Sequence, residues 1–179
     1  MRALRSLALL PLILLSVLGT SLAWADSLYQ VEVIVFRQAG EPIPAARPVP
    51  DDWAQGALPV DATQERATSL NGEAAKLNPS SGYQVLLHKA WSQTLGSAAS
   101  SAAISTGNEQ FGHFPVEGTL RLSRARFIDV EADLWVNQFD ASGLVNGSER
   151  IKQSSRLKSG ELTYLDHGSL GLLIRVSPL

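Results

Sequence analysis

The chain of 179 residues contains no cysteine. Disulfides are therefore excluded, and stability must come from packing even in an oxidising compartment. A lipid anchor on an N-terminal cysteine is excluded as well. Clustered positive charge is also missing: 15 Lys and Arg stand against 17 Asp and Glu, with no basic run. Nucleic acid and anionic membrane surfaces both call for such clusters, so neither is an expected partner. Only three histidines occur, His88, His113 and His167, and none has a ligand spacing such as H-x-x-x-H. They read as hydrogen-bonded or exposed singles, with a meeting of His88 and His167 left open if their strands are neighbours. There is no G-x-S-x-G elbow, no internal repeat, and no apolar run of the roughly 20 residues that a bilayer span needs.

What is present begins with a short basic start, "MRALR", and an apolar stretch, "SLALLPLILLSVLG". "AWA" comes next, with small Ala23 and Ala25 at −3 and −1 of a peptidase site. Residues 1–25 are thus expected to be a secretory signal peptide cleaved after Ala25, which delivers the protein to the periplasm without stable membrane insertion. An uncleaved anchor is the alternative. This segment takes two of the 15 basic residues and none of the 17 acidic ones, so residues 26–179 carry 13 against 17, a net charge of −4. Their length suits one domain with a real core.

Period-2 alternation dominates the rest of the chain. In "SLYQVEVIVFRQ", Tyr29, Val31, Val33 and Val35 share one face, while Ile34 and Phe36 make the other face apolar too, as in a central strand. Residues 39–60 hold five prolines and read as an ordered loop. Residues 61–77 read as one or two helical turns with Gly72 as a weak point. "GYQVLLHKAWSQ" fits a strand or a buried helix; its opening "SSG" and its Tyr, Val and Trp favour strand, with Val85, Leu87 and Trp91 on one face. Residues 94–114 are small and polar and read as a flexible surface loop. The clearest pattern is "VEGTLRLSRARFIDVEADLWVN", a long antiparallel hairpin with one face on the core, turning near Arg124 and Ala125. "RIKQSSRLK" reads as a polar edge strand. Leu170, Leu172, Ile174 and Val176 alternate in a closing strand. The expected fold is α+β: a mostly antiparallel sheet of about six strands with one or two short helices.

Three further groups of side chains invite a chemical reading. Asp166, His167 and Ser169 have the residue types of a nucleophilic triad, but a triad must converge in space and adjacent residues splay. "DHGS" reads as a turn, with Gly168 supplying a positive φ and Ser159 capping a helical turn over 161–165. A hydrolase using His167 is the enzymatic alternative. Asp129, Glu131 and Asp133 line one strand face and read as partners of cross-strand cations such as Arg121, rather than as a glycosidase pair. Most aromatics read as core. Trp135 shares the polar face with those three acids, where it either forms an exposed saccharide platform or packs under the 39–60 loop.

Three stretches together, "YQVEVIVFRQ", "GYQVLLHKAW" with "VEGTLRLSRARFIDVEADLWV", and "GELTYLDHGSLGLLIRVSP", resemble the CsiV family of periplasmic peptidoglycan-binding proteins from Gammaproteobacteria. "DHGSLG" and Ala125 depart from the family pattern, which expects a proline and an aromatic in the first and a glycine in the second. The resemblance implies a non-enzymatic periplasmic protein that binds peptidoglycan and supports cell-wall synthesis and cell shape, with a bifunctional penicillin-binding protein as the assisted synthase. No cofactor or metal is implied. The expected wall contacts are Trp135, Trp53, Arg121 and Arg126. The alternative is a periplasmic protein–protein adaptor that binds through its edge strand, 150–158, without touching the wall.

Overall fold

The computed structural model describes residues 26–179; the signal-peptide reading of residues 1–25 lies outside them. Strand β1 spans Ser27–Arg37. Its odd residues Tyr29, Val31, Val33 and Val35 enter the main core, while Ile34 and Phe36 enter a second cluster behind it. A strand that is apolar on both faces must be covered on both. β1 accordingly sits inside a four-stranded antiparallel sheet with β3 (Gln84–Leu95), β9 (Leu170–Pro178) and β8 (Leu162–His167), in the order β3-β1-β9-β8.

A second sheet has the order β2-β4-β5-β6-β7. It consists of β2 (Leu58–Pro59), β4 (Ser100–Thr106), β5 (Val116–Arg124), β6 (Ile128–Phe139) and β7 (Val145–Leu157). Only β2 and β4 run parallel. The two sheets pack face to face. Val31, Trp91 and Ile174 from the first meet Leu120, Leu134 and Ile151 from the second in one buried cluster. Each side chain sits there by alternation, as in any sandwich.

The outer face of the first sheet is sealed by the short helix α1 (Asn71–Lys76) and the segment before it. Six residues are too few to hold a helix in water. α1 is held instead by Leu70, Ala74 and Leu77 packing on Ile34 and Phe36. The buried Glu32 carboxylate fixes the approach, accepting from the backbone N–H groups of Ser69 and Leu70 at 2.8 Å each. His88 Nε2 lies 2.9 Å away and the Ser69 hydroxyl donates to the other oxygen. Burial pushes the Glu32 carboxyl up, but the bonds from Ser69, Leu70 and His88 outweigh it and hold the group below its usual range.

The architecture corrects several expectations. Among the described residues there are nine strands in two sheets rather than about six in one, and one six-residue helix with a 3-10 turn (Pro79–Ser81), so the fold is mostly β rather than α+β. The expected loop 94–114 contains β4, whose Ala102, Ala103 and Ile104 are buried. Small side chains suffice there because β4 lies between β2 and β5. Of residues 161–165, Leu162 onward is strand and none is in a helical turn, because Leu165 faces the core from β8. Val85 lies behind the sheet while Leu87 lies in front, because a bulge at Val35/Phe36 shifts the register. His88 and His167 do not meet, since β1 and β9 separate their strands.

Two other expectations hold, the β5–β6 hairpin and the polar edge strand. β5 and β6 form the predicted hairpin, with Arg124 opposite Ile128 and three turn residues between. None of the three needs a positive φ, which explains the missing glycine. β7 is an edge strand. Among the described residues no helix is long and apolar enough to cross a membrane.

Candidate functional site

Residues 38–57 leave β1 and cross the outer face of the second sheet to reach β2. Prolines 42, 44, 48 and 50 fix φ along this strap and remove donors it would have to satisfy. It is pinned at intervals. The Gln38 N–H donates to the Ser169 carbonyl at 2.8 Å, and the Ala45 N–H to the Ser148 carbonyl at 2.7 Å. Further on, Trp53 Nε1 donates to the Gly112 carbonyl at 3.1 Å, and its ring meets Phe114 edge-on.

Beneath the start of the strap lies a buried ionic clasp. Glu149 on β7 is 2% exposed. Its carboxylate accepts from Arg37 at the end of β1 and from the Ser169 hydroxyl at 2.5 Å. That hydroxyl in turn accepts from the Ile43 N–H at 3.1 Å. One carboxylate thus ties together the first sheet, the second sheet, the β8–β9 turn and the strap.

Above the clasp opens a cavity of about 440 Å³. Its apolar wall is Ile43 to Ala46 with Leu170, and its charged wall is Arg47, Arg150 and Lys152, with His167 at the rim. Arg150 is rigidly placed. It bonds Asp133 through both Nε and Nη2, at 2.7 and 2.6 Å, and lies 4.4 Å above the Trp135 ring. Lys152 reaches the same Asp133 at only 3.7 Å. One carboxylate cannot offset two cations, and Glu149 is already matched by Arg37. With Arg47 exposed, the cavity holds a surplus of positive charge.

A second hollow, of about 250 Å³, adjoins it across Lys152. Gln55 and Ala57 of the strap overhang Ser101, Thr119, Arg121, Glu131, Asp133, Gln153 and Ser154. Hydroxyls, amides and ionic groups of both signs line it.

The four expected contact residues do not form one cluster. Trp135 is on the predicted face but 3% exposed, so the open-platform reading is corrected; its ring lies beneath the Arg150 guanidinium and serves as its support. Trp53 is half-buried at the far end of the strap. Arg121 is exposed, 3.6 Å from Glu131 opposite it, the cross-strand pairing foreseen from the sequence. Arg126 sits in the β5–β6 turn over Phe127. It lies beyond Ile128, itself seven residues from Trp135 and so about 23 Å along the strand.

The other sequence candidates resolve into structure. Gly168, with φ +64°, and Ser169 form a two-residue turn between His167 and Leu170. A positive φ at the first turn position is what a II′ hairpin requires. Ser169 points inward to Glu149 and makes no hydrogen bond with His167. Asp166 instead accepts from Gln38 at 2.7 Å and from the Tyr164 hydroxyl at 2.9 Å. Burial and the Asp166 carboxylate push Tyr164 up to about 12, so it stays a neutral donor at physiological pH. His113 Nδ1 lies 2.8 Å from the fully buried Glu117, which also accepts from the Phe114 N–H and from Asn137. Among the described residues no three His, Asp or Glu side chains are arranged to hold a metal ion.

Reading the sequence missed Arg47, Glu149, Arg150 and Lys152 as a set. Arg150 and Lys152 were visible only as edge-strand charges, and nothing placed Arg47 beside them.

No curated protein and no solved structure matches the chain. One family model does, described as peptidoglycan-binding protein CsiV, over residues 59–179. The range runs from Pro59, the second residue of β2, through β9 and leaves β1 and the whole strap outside it. It is well over half of the chain, and the chain belongs to the CsiV family.

Proposed function

We propose that this protein is a periplasmic, non-enzymatic accessory protein that binds peptidoglycan and supports cell-wall synthesis. Residues 26–179 act as one exported domain after removal of the signal peptide. A bifunctional penicillin-binding protein is the synthase it assists. The observation that carries the reading is the polar hollow on the outer face of the second sheet, in a chain of this family. Sugars are bound by hydroxyl, amide and charged side chains beside aromatic faces. Thr119, Arg121 and Ser154 supply the first kind, and Trp53 at the strap supplies the second. Arg126 extends the same face toward the hairpin tip, and Trp135 acts by holding Arg150.

Co-sedimentation of residues 26–179 with isolated sacculi across a salt series tests this. Pelleting that survives moderate salt is the expected result; no pelleting overturns it.

A second reading is a protein–protein adaptor. It rests on β7, an edge strand whose only backbone bond outside its sheet among the described residues is with Ala45 of the strap. Crosslinking in cells without an intact wall separates the two readings, because an adaptor keeps its partner there.

A further inference from the structure

We infer that the cationic cavity under the strap binds the free carboxylate of a short extended peptide, which in the wall is a peptidoglycan stem. This rests on the peptidoglycan-binding reading and names the part of the polymer held at this site.

Three observations converge on it. The first is charge. Arg47 has no ionic partner among the described residues, and Asp133 is shared between Arg150 and Lys152. Glu149 contributes no free negative charge, because Arg37 matches it beneath the floor. Counting Arg47, Arg150 and Lys152 against Asp133 leaves a formal surplus of two positive charges with His167 neutral. The site is built for an anion. The bidentate grip of Asp133 and the Trp135 ring hold Arg150 in place before any ligand arrives, which cuts the entropy cost of binding.

The second observation is the backbone. In an antiparallel edge strand, alternate residues turn both N–H and C=O away from the sheet. Ser148 does so, since its carbonyl accepts from Ala45 of the strap. By the same alternation Arg150 and Lys152 present theirs into the cavity. The strap occupies the edge at Ser148 and leaves it free beyond. A short extended peptide continues that line by strand addition, and the cation side chains give it direction.

The third is the opposite wall. Ile43, Pro44, Ala45, Ala46 and Leu170 are small or apolar, and they suit the methyl groups of an alanine-rich peptide. Stem peptides combine all three features: they are short, alanine-rich and carry free carboxylates. The polar hollow across Lys152 lies next to the cavity, where the glycan bearing such a stem would run.

The test uses residues 26–179 and a synthetic tetrapeptide, L-Ala–D-Glu–meso-diaminopimelate–D-Ala, with its fully amidated form as comparison, read by calorimetry. Arg47→Ser and Lys152→Ser remove cations from exposed positions, and Lys76→Ser on α1 is the charge-matched control. The free tetrapeptide is expected to bind and the amidated one to bind at least tenfold more weakly. Arg47→Ser and Lys152→Ser are each expected to lose roughly tenfold, the worth of one charge-assisted hydrogen bond; Lys76→Ser is expected to lose nothing. In parallel, wild type is pelleted with intact sacculi in the presence of excess free tetrapeptide or of its amidated form. Loss of pelleting with the free form alone supports the proposal. Equal pelleting with both, or variants that bind the tetrapeptide like wild type, overturns the stem-peptide site while leaving wall binding intact. Failure to pellet with intact sacculi overturns the wall-binding reading itself and the proposal with it.

Discussion

Replacing Glu149 by Leu removes the acceptor at the centre of the clasp. Breaking a buried ion pair from one side costs about 3–5 kcal/mol. Arg37 keeps a quarter of its side chain in water and recovers part of its hydration there, which lowers the figure. Ser169 does not recover, because the residue is buried, 7% exposed, and an unsatisfied buried hydroxyl costs about 1–3 kcal/mol. The expected loss is about 3 kcal/mol, which for a domain of this size lowers the melting temperature by about 6–12 °C. Urea denaturation at neutral pH measures it, with an unchanged slope showing that the folded state is intact. The triple change Arg37→Met, Glu149→Leu and Ser169→Ala removes every stranded side chain, leaves the Ile43 N–H to water on an exposed residue, and should return to within about 1 kcal/mol of wild type. Hydrogen exchange at the Ile43 N–H should quicken in both variants, since each loses the Ser169 oxygen or its anchor. A loss below about 1 kcal/mol for the single change, or a triple variant no better than the single one, would refute the reasoning.

Other outcomes rest on the same geometry. Glu32 has a folded pKa below its unfolded value, so its contribution is fully present above the ordinary carboxylate range and fades as pH falls through the lowered folded value; Glu32→Gln should flatten the acid limb of a stability–pH curve and leave its neutral limb parallel. Gly171→Ala places a Cβ 2.4 Å from the Phe36 ring, so it should cost about 1–3 kcal/mol in thermal unfolding, and Phe36→Leu in the same chain should relieve part of it. Trp53→Ala with Arg121→Ser should weaken co-sedimentation with sacculi and lower the melting temperature by about 2–8 °C, because Trp53 gives up its bond to Gly112 and its edge contact with Phe114; unchanged pelleting would remove both from the binding face.

Strands with strong alternation were legible in the sequence. β1, the β5–β6 hairpin and β9 alternate over eight or more residues, so their buried faces could be read directly. β4 was not legible, because "SSAAIST" sets one large apolar side chain, Ile104, among alanines and hydroxyl residues and looks like a loop. The division into two sheets was also out of reach, since alternation says which face is buried and not which sheet buries it. The face of Trp135 was read correctly while its burial was left open between two alternatives, because the guanidinium over it comes from β7. The cavity was the least legible feature. Its walls come from three separated segments, 43–47, 149–152 and 167–170, and only folding brings them together. A lysine and an arginine on an edge strand look the same whether they repel neighbouring sheets or receive a ligand.

The pairing of β1 with β9 also sets a schedule. Tyr29, near the start of the described chain, lies opposite Pro178, near its end. β1 needs β9 on one side and β3 on the other to lose its unpaired backbone groups. A chain delivered N-terminus first therefore exposes its most apolar strand until the last dozen residues arrive. The sandwich cannot close early, and the search for a partner so distant along the chain belongs to the slow, millisecond-to-second class of all-β folding. Truncation before Leu170 would leave β1 with a bare edge, so the loss of a few terminal residues should produce aggregation rather than a slightly weaker protein.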